Sequence, residues 1–145
     1  MNKNFELYEH IYKDAEMACY TLESLIKDLK EKDNKIKGIL DDILKEYTIW
    51  MNGSKNKLED NDIQLKKTNS MSKMMANMGI KKEVKHDNSD SSIADLLIQG
   101  ISMGTIDMEK KINACDKKSN KEQLSYAKNF LKFQETAIED LKKYL

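Results

Sequence analysis

Apolar residues recur along the first part of the chain with the period of a helix that buries one face. Phe5, Tyr8, Tyr12, Ala15, Cys19, Leu22, Ile26 and Leu29 follow one another at alternating steps of three and four, flanked by Ile11, Ala18 and Leu25. This is an a/d seam, and it predicts a helix over 4–32. Asp33 and Asn34 read as a turn and an N-cap. A second seam of Ile36, Leu40, Ile43, Tyr47, Trp50, Ser54 and Leu58 predicts a helix over 34–60, despite Gly53. The short turn makes the two helices antiparallel neighbours.

The polar stretch NDIQLKKTNS (61–70) ends this periodicity. Met71, Met74, Met75 and Met78 then fall on one face of a predicted short helix over 70–83, followed by a loop, KKEVKHDNSDSS (81–92). Ser92 with Asp95 resembles a capping box opening a helix over 91–117. Ile93, Ala94, Leu97, Ile101, Met108, Ile112 and Cys115 make its stripe, while Leu96, Ile98, Met103 and Ile106 spread beyond it. A helix apolar nearly all round is a central or interface helix. Ser119 with Glu122 is a second capping box, opening a helix over 119–144 whose face is Leu124, Ala127, Phe130, Leu131, Ala137, Ile138, Leu141 and Leu145. The pattern predicts one all-α domain over 1–145: a four-helix bundle of two antiparallel hairpins joined by a long crossover that contains a short helix. The rival arrangement is a plain up-down bundle with a fifth helix on its side. Gly100 and Gly104 lie on one edge of the third long helix, where missing side chains let another backbone come close; a hinge is the alternative.

Composition narrows the function classes. All 25 basic residues are lysine, and they balance 25 acidic ones. Bidentate phosphate and guanine contacts favour arginine, and zero net charge gives no pull toward a polyanion, so nucleic acid is a poor partner. No run approaches the roughly 18 apolar residues of a membrane span. The charged start MNKNFELYEH does not read as a signal peptide, which points to the cytoplasm and to reduced Cys19 and Cys115.

The segments YKDAEMACYTLESLI (12–26), MMANMGI (74–80), IADLLIQGISMGTIDMEKK (93–111) and FQETAIEDLKKYL (133–145) together resemble small, uncharacterised ferritin-like proteins of Gram-positive bacteria. The resemblance covers nearly the whole chain and rests on packing motifs. It implies a ferritin-like bundle and a dimer, and its wider superfamily includes di-iron oxidases and iron stores.

A di-iron site in such a bundle takes Glu from two helices and Glu-x-x-His from the other two. Here Glu46-Tyr-Thr-Ile49 and Glu135-Thr-Ala-Ile138 carry isoleucine where histidine is needed. His86 falls in a loop and His10 opposite the first seam. Helical phase puts Glu16, Glu46 and Glu135 at the edges of the apolar faces. The expectation is therefore no catalytic residue, no metal and no cofactor. Glu16, Glu46, Glu109 and Glu135 are the only ligands open to an alternative carboxylate-only iron or manganese site, as in a degenerate oxidase or iron store. Gln134, Tyr47 and Tyr12 are candidate interior polar residues, either a structural amide–tyrosine pair or a small polar pocket. The methionine set reads as a core stripe before a Cu(I) site, and both cysteines as buried apolar groups. Met17, Ile49, Leu96, Met103 and Ile106 lie off the seams and form a candidate interface. The function expected is a non-catalytic structural or protein-interaction module, homodimeric or with an unidentified protein partner.

Overall fold

The computed structural model describes residues 4–65 and 88–145. Four helices form there: α1 (Glu6–Asp28), α2 (Lys37–Asp60), α3 (Asp90–Ala114) and α4 (Lys121–Lys142). No strand occurs among the described residues. The predicted short helix over 70–83, with its methionine stripe, lies outside them. No described helix is long and apolar enough to cross a membrane.

The seams form helices where the spacing predicts them, but capping differs and so do the ends. Ser89 Oγ accepts from Ser92 N at 3.2 Å, so Ser89 is the cap of α3 and Ser92 lies inside the helix. Ser119 donates its hydroxyl to Asp116 Oδ2 at 2.8 Å, and α4 starts two residues later than the predicted box. Glu122 pairs instead with Lys57 of α2. Asn34 does not cap α2. Its Nδ2 donates to Asn88 O at 2.8 Å and to Asp90 Oδ1 at 3.0 Å. Asp90 also accepts from the backbone N–H groups of Lys35, at 3.1 Å, and Ile36, at 3.4 Å. The first turn of α2 contains no acidic residue, so a carboxylate from α3 supplies what its positive end lacks.

Cross-helix bonds fix the directions. Tyr8 N donates to Gln123 Oε1 at 3.0 Å, and Gln134 Nε2 to Asp14 Oδ2 at 2.9 Å, so α1 and α4 are parallel. Lys57 meets Glu122 while Tyr47 meets Gln134, so α2 is antiparallel to α4. α3 opposes both α1 and α4. Consequently α2 and α3 run the same way and begin at the same end, where Asn34 and Asp90 join them. The chain leaves α2 at one end of the molecule and enters α3 at the other.

α1 and α4 each pack on all three other helices, whereas the backbones of α2 and α3 stay apart. The central position, which the sequence offered for the third long helix with an interface as its alternative, is shared by α1 and α4. The buried arc of α1 is wide and includes Leu7 and Thr21 as well as the seam residues Ala15, Cys19 and Leu22. These pack with Leu40, Ile43 and Tyr47 of α2, Ile93, Leu97 and Met108 of α3, and Phe130, Ala137 and Leu141 of α4 in one core. Each such large apolar side chain contributes roughly 1.5–3 kcal/mol by burial. Between α2 and α4 the filling is aromatic: Trp50 lies 4.9 Å from Tyr126 and 5.5 Å from Phe130, and Tyr47 lies 4.9 Å from Phe133.

Candidate functional site

The polar residues of the interior converge at one point. Gln134 sits on the core face of α4 and is fully buried. Its Nε2 donates to Asp14 Oδ2 of α1, at 2.9 Å, and to the Tyr47 hydroxyl of α2, at 3.1 Å. α3 contributes Gly104, where an added Cβ would come within 2.8 Å of Asp14 Oδ2. All four helices therefore meet around the Asp14 carboxyl. His10, one turn earlier on α1, places Nε2 3.9 Å from the same oxygen. Two clefts open from Asp14 into the groove between α1 and α3. One, of about 480 Å³, holds His10, Lys13, Gly104, Asp107 and Lys111 on its walls. The other, of about 190 Å³, is walled by Met17, Ala18, Leu96, Leu97, Gly100 and Ile101, with Tyr47 beside Asp14.

Burial dominates the electrostatics. It pushes the Asp14 carboxyl up to about 6, against the opposing hydrogen bond from Gln134 and with a smaller push from Asp107. It also raises the Tyr47 phenol and lowers the His10 imidazole, which Lys111 lowers further. Burial thus favours the uncharged form of each titratable group in the cluster. Among the described residues no lysine forms an ion pair with Asp14, and neither Gln134 Oε1 nor His10 Nε2 has a hydrogen-bond partner. Such a site can hold a hydrogen-bond donor or a cation. Beside it, burial raises the Cys19 thiol, whose sulfur lies 3.7 Å from Thr48 Oγ1.

Tyr47 and Gln134 are thus brought together, whereas Tyr12 is only half-buried and donates to Glu16 Oε2 at 2.9 Å. Glu16 is half-buried at that edge, and Glu46, Glu109 and Glu135 are exposed. Among the described residues no three His, Cys, Asp or Glu side chains gather as a metal ion would require. Gly104 meets a carboxylate where a neighbouring backbone was expected, and a Cβ added at Gly100 would meet nothing within 4 Å. Met17 and Leu96 are half-buried at the groove. Met103 and Ile106 are exposed on α3, and Ile49 is exposed on α2.

No protein-family model matches this chain. No curated protein and no solved structure matches it either.

Asp14 and His10 are the residues that sequence reasoning missed. His10 does not point away from the core; it faces α3. The signal was a second stripe on α1, Leu7, His10, Asp14, Met17 and Thr21, again at steps of three and four.

Proposed function

We propose that this chain is a non-catalytic bundle of the ferritin-like kind, its hairpins joined by a long crossover, which works in the cytoplasm through protein contacts as a homodimer. The shared direction of α2 and α3 supports that topology. The observation that carries the functional reading is the outward face of α3. Leu96, Gln99, Met103, Ile106 and Lys110 follow one another at steps of three and four on the side away from the core. Met103 is 69% exposed and Ile106 55%, on a helix whose other face is already buried. A two-fold axis through that face lays the same stripe of a second copy against it, as a closed dimer requires. The competing iron or manganese site has no such support, since its four glutamates do not gather and three of them are exposed.

Light scattering tests the reading. The wild type is expected at twice the 16.8 kDa chain mass. The double variant Met103→Lys, Ile106→Lys is expected at the mass of one chain, with unchanged helical circular dichroism. A wild type that stays monomeric up to its solubility limit would overturn the dimer.

A further inference from the structure

Asp14 has no lysine partner among the described residues, and His10 Nε2 stays 3.9 Å from its Oδ2. Asp14 is half-buried, with 22% of its side chain exposed toward the clefts, and a carboxylate drawn that far from water gains from a charged partner. Here Gln134 supplies one hydrogen bond to a group with about four acceptor positions. The nearby lysines, Lys13 and Lys111, line the larger cleft together with Glu6, Glu9 and Asp107. The smaller cleft has no charged wall except Asp14 itself. Gly100 leaves that cleft open on the α3 side, where nothing lies within 4 Å of an added Cβ. Its volume of about 190 Å³ is sufficient for a small ring, since an apolar cavity of about 150 Å³ binds benzene. One acidic end and an apolar body define the complementary ligand.

We propose that the α1–α3 cleft binds a small organic cation, a primary ammonium carrying a benzene-sized apolar group, with its nitrogen on the Asp14 carboxylate and its body against Met17, Leu96, Leu97 and Ile101. The site shares Leu96 with the dimer stripe but is formed within one chain. The ammonium supplies the charge and the donors that Asp14 lacks, while the apolar walls exclude water from the pair.

The probes are benzylamine, cationic at neutral pH, and benzyl alcohol, its neutral counterpart of the same size, each titrated into the intact protein and followed by amide chemical shifts. Saturable binding is expected, with the amine at least about tenfold tighter than the alcohol, as a charge-assisted bond implies. Asp14→Asn is expected to bring the two ligands to within about twofold of each other by removing that bond. Gly100→Leu, which places a side chain over the cleft, is expected to weaken both. No saturable binding of either probe to the wild type, or equal affinity for the two, would overturn the proposal even if Asp14→Asn failed to fold. Gly100→Leu binding the amine as tightly as the wild type would also overturn it, by placing the ligand elsewhere.

Discussion

Asp14 makes stability depend on pH in a direction opposite to that of most carboxylates. Its folded value of about 6 lies above the ordinary 3.8, so the folded chain holds the proton more tightly than the unfolded one. The stability this confers is full below about pH 3.8 and is lost as pH rises through about 6, a change of up to about 3 kcal/mol. His10 acts in the other sense: its folded value is below 6.5, so its contribution is lost as pH falls through that range. The other charged or titratable groups around Asp14 are Glu6, Glu9 and Lys13 on α1, Tyr47 on α2, and Asp107 and Lys111 on α3, while α4 presents the neutral Gln134. Asp14→Asn keeps the amide bond and removes only the carboxyl titration. Its stability in urea relative to wild type is expected to rise steadily between acid and neutral pH; parallel profiles would show that Asp14 is not held in this way. The two glycines separate on similar grounds. Gly100→Ala is expected to stabilise by about 0.5–1 kcal/mol through helix propensity. Gly104→Ala gains the same propensity but drives its Cβ into a carboxylate held by Gln134, and a net loss of about 1 kcal/mol is expected from thermal unfolding. Both glycines stood out in the sequence. What one of them touches did not, because Asp14 lies about ninety residues away along the chain.

At the scale of the helix, the legible part was the buried face and the illegible part was the end. α2 and α4 each bury one stripe, so Leu40, Ile43, Tyr47, Phe130, Gln134, Ala137 and Leu141 can be read directly from their spacing. α1 buries Leu7 and Thr21 beside its seam, and a single seam accounts for only one of these two stripes. Caps are harder still when the capping group is non-local. Asn34 has the local chemistry of an N-cap, yet Asp90 from the other hairpin receives the N–H groups at the start of α2. No window of neighbouring residues can reveal that exchange. Asp90→Ala is accordingly expected to cost about 1–3 kcal/mol, since it leaves several donors at the start of α2 unsatisfied and removes the link to Asn34. Ser89→Ala removes one local cap bond and is expected to cost about 1 kcal/mol. Equal losses in urea denaturation would mean that Asp90 acts only within its own helix.

At the scale of the molecule, the two hairpins are each held by extensive helix–helix packing, and far less contact joins one hairpin to the other. The junction therefore depends on a few specific contacts, and Gln134 reaches both helices of the first hairpin from the second. An apolar residue in its place could be buried equally well but would not select this register of α4 against α1 and α2. A buried polar link of that kind fixes an arrangement more than it adds stability. Its energetic signature is coupling. Gln134→Leu alone strips the half-buried Asp14 of its donor, and a loss of roughly 1–3 kcal/mol at neutral pH is expected. Asp14→Leu alone leaves the buried amide short of an acceptor and is expected to cost less, because it also removes an unpaired charge. The double variant replaces both polar partners with apolar groups, so it should lose less than the sum of the single losses, by roughly 1–3 kcal/mol. Additive losses would mean that the 2.9 Å contact carries no net interaction, and that the hairpins are aligned by their apolar surfaces alone.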